Sequence, residues 1–305
     1  MFESNQKTLN KIISFAGTGL HLGKKVSINL KPAEADTGII FKRTDIKNNN
    51  EIKANYNNVS SAKLCTKIEN DHGISVSTIE HLMAALYICG VDNLVIKIDG
   101  EEVPIMDGSS KEFVEKINET GLKILNKNRK FIKINKKVEL KLDNKSISVE
   151  PALDSLKVAF TLSYENSPLI KSQTNCVDFK NKNLENIYSA RTFCLYEDIE
   201  KVKSLGLAKG GNLDNAVVIK GDKVLNETGL RSKNEFVNHK ILDLAGDFLL
   251  SGYRVLGKVK CNQGGHELTN IFLRKMMKNK SNFLTSETFQ DSTTQFNSQK
   301  IAANA

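Results

Sequence analysis

Much of this chain is written twice, and a repeated sequence has to build a similar unit twice. INLKPA at residues 28–33 recurs as ISVEPA at 147–152, an offset of 119, and the same offset sets Phe41 of GIIFKR on Phe160 of KVAFTL. Both copies alternate apolar and polar residues around a turn, the period-two pattern of half-buried strands. Further on, TIEHLMAALYIC stops at Gly90 and runs into NLVIKI, while KILDLAGDFLLS stops at Gly252 and runs into RVLGKV. A glycine just past the last periodic residue is a helix stop. Nine residues before each glycine stand His81 and Asp243, which become equivalent positions.

The expected fold class is α+β: two similar β-α-α-β sandwich halves packed helix layer to helix layer, with a small insert in the second half. The halves are expected over 1–126 and 127–280, joined near LNKNRK (125–130). The insert is 194–218, with Gly206, Gly210 and Gly211, and 281–305 reads as a loose polar tail. A chain of 305 residues with 40% hydrophobic content can fill two cores.

In EFVNHKILDLAGDFLLSG (235–252), a helix by its periodicity, His239, Asp243 and Asp247 fall at steps of four. At 100° per residue they make one stripe at about 300°, 340° and 20°, while Val237, Ile241, Leu244 and Phe248 gather at about 80–140°. A solvated polar face explains such a stripe, and so does a metal site, because His and Asp at i and i+4 can point at one ion. Two ligands are not a site. If the two helix layers face each other, the equivalence of His81 and Asp243 brings His81 to the pair.

The five cysteines are scattered and never form C-x-x-C, so a metal here takes His and carboxylate ligands. Glu80, beside His81, fits a capping box with Ser77. It also fits a base that takes a proton from a water at the metal, where a His2Asp set leaves one position open. His266 in QGGHELTN precedes an apolar helical pattern; at a helix N-terminus its pKa falls unless a carboxylate opposes the dipole, and Asp247 is placed to do so. Lys240 is a candidate for stabilising an oxyanion.

The net charge of +9 comes from 38 Lys and 6 Arg spread along the chain. Without basic blocks or arginine forks this excludes nucleic acid as the expected partner and suits a small phosphorylated substrate. No run of 18 apolar residues and no signal-like N-terminus is present, so the expectation is a cytoplasmic monomer without stable membrane insertion. Asp36-Thr37-Gly38 is the tripeptide of aspartic proteases, but its second copy is absent. Another zinc hydrolase and a metal-free binding module are the remaining alternatives.

GTGLHLGKK (17–25), LCT (64–66), STIEHLMAAL (77–86), VDNLVI (91–96), EVPIMDGSS (102–110), SARTF (189–193), LNETGLR (225–231), EFVNHKILDLAGD (235–247) and GGHELTN (264–270) together resemble the UDP-3-O-acyl-N-acetylglucosamine deacetylases. The resemblance covers the chain to about residue 275. It implies two βα-sandwich halves and a zinc amidase of lipid A biosynthesis that removes acetate from UDP-3-O-acyl-N-acetylglucosamine in the cytoplasm of a Gram-negative type cell. It further implies one catalytic Zn2+ on His81, His239 and Asp243, with Fe2+ as an alternative occupant. Glu80 is then the general base, and protonated His266, oriented by Asp247, the general acid. Thr192 and Lys240 would hold the oxyanion. Leu20, Phe193, Ile199, Ala208, Gly211 and Val218 would line a passage for the 3-O-acyl chain. Cys65 matches a family cysteine expected on a strand near the metal, and His21 sits in the glycine-rich turn bordering the cleft. The chain departs from the family at Gln263, where a lysine is usual; Lys258 and Lys260 are the cations available to meet a diphosphate instead.

Overall fold

The computed structural model describes residues 5–165 and 167–286. The fold is mixed α and β, with several sheets and, among the described residues, six α-helices: α1 (Glu80–Cys89), α2 (Lys111–Thr120), α3 (Glu185–Tyr188), α4 (Tyr196–Ser204), α5 (Glu235–Leu249) and α6 (His266–Lys278). None of them is long and apolar enough to cross a membrane.

The alternating segments are strands. Along Lys25–Pro32, Val26, Ile28 and Leu30 turn inward while Lys25, Ser27 and Asn29 face solvent. In a five-stranded sheet, Leu94–Ile98 runs antiparallel to Lys25–Pro32 and parallel to Ile39–Arg43. In a seven-stranded sheet, Arg254–Asn262 is flanked in the same way, antiparallel by Lys145–Pro151 and parallel by Leu156–Tyr164.

The repeat holds for one strand pair and slips in the other. Leu30 lies opposite Ile96 and, 119 residues on, Val149 lies opposite Val259. Across the other edge Phe41 also faces Ile96, but it is Val158 that faces Val259; Phe160 is two residues further and faces Cys261. A slip of two keeps the same side chains inward. Both phenylalanines are buried, so matching by residue type conceals the slip.

Helices α1 and α5 meet backbone to backbone. A Cβ added to Gly246 would stand 2.2 Å from the Glu80 carbonyl oxygen and 3.0 Å from the Ala84 nitrogen, an approach open only to glycine. Every residue of α5 except Lys240 is buried, as is α1 from Glu80 to Tyr87. Helices between layers are apolar on most faces, and the stripe of His239, Asp243 and Asp247 is therefore not a solvated face. At the far end, Arg254 donates to the carbonyls of Leu86, Tyr87 and Val91, and Arg129 to that of Gly90. Both guanidiniums pair with Asp92. They add to the Gly90 and Val91 N–H bonds that close the end of α1, and Arg254 ties it to the second sheet.

Three local expectations change. α1 begins at Glu80, because Thr78 takes a left-handed φ of 57°. α5 ends at Leu249, and Gly252 (φ 77°) closes the turn after it. The join near 125–130 falls in a strand, Leu122–Asn128, antiparallel to Asn5–Leu9. The tail begins later than 281: Phe283–Thr285 pairs with Phe131–Ile134, and Phe283 is buried against the core. Residues 287–305 lie outside the described residues.

Alanine in a helix interior normally stabilises over glycine by about 1 kcal/mol. At Gly246 the sign should invert, because the added methyl meets the α1 backbone. Gly246→Ala is expected to cost about 1–3 kcal/mol of stability, read as a lower midpoint in chemical denaturation.

Candidate functional site

The contact between α1 and α5 sets the site. The Nε2 atoms of His81 and His239 lie 3.6 and 3.4 Å from one oxygen, Asp243 Oδ1. The three ligand atoms lie within 4.8 Å of one another, and all three residues are buried. Ligands in tetrahedral array at about 2.0–2.1 Å from an ion stand about 3.3 Å apart, so the spacing fits a metal. Asp243 Oδ1 is buried and has no hydrogen-bond partner, a charged acceptor that calls for a cation.

The first ligands are held from behind. His239 Nδ1 faces the Ala190 carbonyl at 3.0 Å, which leaves Nε2 for the ion. Ala190 is itself fixed by its neighbour Arg191, whose Nε and backbone N–H donate to Glu235 Oε1 at 2.8 and 3.1 Å in a fully buried ion pair. Ser110 Oγ donates to the His81 carbonyl at 2.6 Å. Burial pushes the His239 pKa down to about 3, against the pull of Asp243, so its ring is neutral and able to ligate. For Asp243, burial pushes upward, but the cations Lys240 and His266 around it outweigh that and hold the carboxyl well below the usual range.

A second group faces the trio. Glu80 is the first residue of α1, where the helix dipole favours a carboxylate. No side chain caps that helix: Glu80 Oε2 accepts from the Thr66 N–H at 3.0 Å, so the capping box with Ser77 is not formed. His266 opens α6, with Nδ1 2.8 Å from Asp247 Oδ2 and Nε2 3.7 Å from Glu80 Oε1. Burial alone would lower its pKa, but Asp247, Glu80 and Asp243 outweigh it and lift it to about 10. Glu80 is raised, by burial first, against His266 and His81. Lys240 donates to Asp243 Oδ2 at 2.8 Å and lies 5.7 Å over the Phe193 ring.

Of the expected apolar lining, Leu20, Ala208 and Gly211 come together. A Cβ at Gly211 would be 3.5 Å from Leu20 Cδ1 and 3.8 Å from Ala208 Cβ, with the Gly210 N–H bonded to the Leu20 carbonyl. Phe193 stacks edge-on with Tyr164 and Phe236 near His239. Its strand, Phe193–Leu195, pairs Cys194 with Val218 in Val217–Lys220, and Val218 is buried. Ile199 is half-buried on α4, which packs on those strands. Thr192 is seated between the Gly108 carbonyl and the Val217 N–H.

Of the remaining residues, one stands differently from expectation. Cys65 lies in a bend before Lys67–Glu69 rather than on a strand; burial, and then Glu80, push its thiol up to about 12, so it is no thiolate. His21 is buried with both ring nitrogens unpartnered, in a turn pinned by Glu102, which accepts from the N–H groups of His21 and Leu22. Gln263 is bonded twice to the Ser163 backbone, at 2.9 and 2.6 Å, and so shapes the approach to α6. Lys260 stands 3.4 Å from Glu150. Asp36 is held by Gln6 and Lys130. Thr66, Ser110, Glu235 and Gly246 were not legible as site residues, because each acts through a contact distant in sequence.

The family model described as UDP-3-O-acyl N-acetylglycosamine deacetylase matches residues 6–278. Curated proteins named UDP-3-O-acyl-N-acetylglucosamine deacetylase match over most of their length. One from Citrifermentans bemidjiense is 43% identical over 90% of this chain and 89% of its own. Another from Aliivibrio fischeri is 41% identical over 89% and 90%, and one from Haemophilus ducreyi 41% over 90% and 91%.

Asp243→Ala removes the oxygen that both histidines face. After brief chelation and reloading, elemental analysis is expected to find about one metal per wild-type chain and at least tenfold weaker retention in the variant. Equal retention would remove Asp243 from the ligand set.

Proposed function

Because the chain belongs to the UDP-3-O-acyl N-acetylglycosamine deacetylase family, we propose that it hydrolyses the acetamide of UDP-3-O-acyl-N-acetylglucosamine in lipid A biosynthesis, using one zinc ion held by His81, His239 and Asp243. The observation that carries this reading is the convergence of that buried trio with a carboxylate and an imidazole whose Nε2 lies 3.7 and 3.8 Å from Glu80 and Asp243. Iron(II) prefers the same donor set and is the alternative occupant.

When bound, the metal supplies Lewis acidity that polarises the amide carbonyl and makes water a better nucleophile. Glu80, ionised, takes one proton of the attacking water as its oxygen bonds to the carbonyl carbon. His266, kept protonated by Asp247, gives its Nε2 proton to the nitrogen as the C–N bond breaks, releasing acetate and the free amine. Lys240 and Thr192 stabilise the negative charge that develops on the carbonyl oxygen. The Leu20, Ala208 and Gly211 wall, with Phe193, Ile199 and Val218, forms the passage for the 3-O-acyl chain. Since Gln263 is occupied by Ser163, the diphosphate is left to lysines such as Lys258 or Lys260.

For the architecture we propose two halves, 1–126 and 127 to at least 285, with their helices at the shared layer. The matching strand directions around Leu94–Ile98 and Arg254–Asn262 support it.

Two measurements follow. Gly211→Ser fits the backbone, since a Cβ there makes only ordinary contacts, but its hydroxyl narrows the wall. Turnover of long-chain 3-O-acyl substrates should fall well below that of short-chain ones, each buried CH2 being worth about 0.8 kcal/mol; equal losses would move the chain elsewhere.

The pH profile of kcat/KM should be bell-shaped. Activity is lost as pH falls through the raised pKa of Glu80, and lost again as pH rises through that of His266. A bound dication lowers both, so the comparison is between variants. Asp247→Asn withdraws the strongest support of the imidazolium and should move the basic limb to lower pH, with kcat down about tenfold and zinc unchanged. Glu80→Ala should cost about 10² or more; near-normal activity would end its role as base.

A further inference from the structure

We propose that Thr66 is a positioning residue of this reaction, one residue that aims both the base and the acid; the inference rests on the roles proposed above for Glu80 and His266. Thr66 is buried, in the bend before Lys67–Glu69. Its N–H donates to Glu80 Oε2 at 3.0 Å, and its hydroxyl donates to Asp247 Oδ1 at 2.7 Å. Its carbonyl accepts from the Ile79 N–H at 3.4 Å, next to Glu80 in the chain.

Each bond decides a direction. With Oε2 of Glu80 tied to Thr66, it is Oε1 that faces His266, at 3.7 Å. With Oδ1 of Asp247 tied to the hydroxyl, Oδ2 is the oxygen left for His266 Nδ1, at 2.8 Å. That fixes the ring so that Nε2 points at the space between Glu80 and Asp243, where a leaving nitrogen would accept its proton. Thr66 is thus one bond from the base and two from the acid, and loss of its hydroxyl frees Asp247 to turn.

The surrounding backbone is strained in a way that serves this placement. Leu64 (φ 95°) and Thr78 (φ 57°) adopt conformations that L side chains rarely take, each two residues before a partner, Thr66 and Glu80. Such conformations persist where neighbouring contacts over-determine them, and they gather at functional sites. A merely structural threonine, satisfying a buried carboxylate, would need neither.

Thr66→Val keeps the shape and the N–H and removes only the hydroxyl; Thr66→Ser keeps the hydroxyl. The metal-loaded variants are compared for kcat, KM, metal content and thermal midpoint, and the His266 ring resonances are followed in 15N-histidine protein, assigned with His266→Gln. For Thr66→Val we expect kcat to fall about tenfold, KM to stay within about twofold, metal to be unchanged and the His266 resonances to move; Thr66→Ser should recover most of the turnover. A lower melting temperature with kcat and His266 resonances unmoved would make the hydroxyl a fold contact and overturn the proposal. Should Thr66→Val not fold, Thr66→Ala is read by the same measures. Glu80→Gln and His266→Gln run alongside: if both stay active, the acid–base reading fails and this inference with it, whereas if both are inactive and Thr66→Val is not impaired, the positioning role alone falls.

Discussion

The close approach of α1 to α5 at Gly246 is the contact on which the rest of the site depends. Two helices normally pack with 8–10 Å between their axes, held apart by side chains. Here the absent Cβ lets α5 reach the Glu80 carbonyl, so that the first turn of α1 stands against the middle of α5. His81 then meets Asp243 and His239, about one and two turns back along the partner helix. The core does the holding: Leu82, Ala85, Ile241, Leu244, Ala245 and Phe248 are all essentially buried around that contact.

Burying so many ionisable groups at one place is costly unless their charges nearly balance. Here Lys240 bonds to Asp243, and His266, its pKa lifted by the carboxyls around it, bonds to Asp247, while burial holds His239 down. The Asp243 oxygen that faces both histidines is left without a hydrogen-bond partner, which is the electrostatic demand that a cation meets. The same balance separates the proton carriers. Glu80 is raised by burial and His266 by the carboxylates around it, two different environments of the kind the proposed base and acid need.

The supporting layer is made of backbone as much as of side chains. The Ala190 carbonyl orients His239, the Thr66 N–H orients Glu80, and the Gly108 carbonyl seats Thr192. These loops are in turn fixed by buried ion pairs and polar anchors such as Arg191–Glu235 and Glu102. A substitution in SARTF or EVPIMDGSS therefore acts on the reaction through the position of another residue's main chain.

The sequence by itself determined what depends on neighbours along the chain. Period-two alternation and glycine stops disclosed the strands and helices, the i, i+4 steps put His239 and Asp243 on one stripe, and their pairing with His81 followed from equal distances to Gly90 and Gly252. The nine quoted motifs gave the family. Only the tertiary structure decided what depends on packing between distant segments. It buried the stripe that a wheel alone leaves compatible with solvent, and it slipped the Phe160 strand by two residues, which alternation cannot detect because the inward face is unchanged. It also tied Gln263 to the Ser163 backbone and turned Phe283–Thr285 from tail into strand. Thr66 and Gly246 stand apart for the same reason: a hydroxyl 181 positions from its acceptor and a glycine defined by another helix's carbonyl carry no local signal, because the distances that give them meaning exist only once α1 and α5 have met.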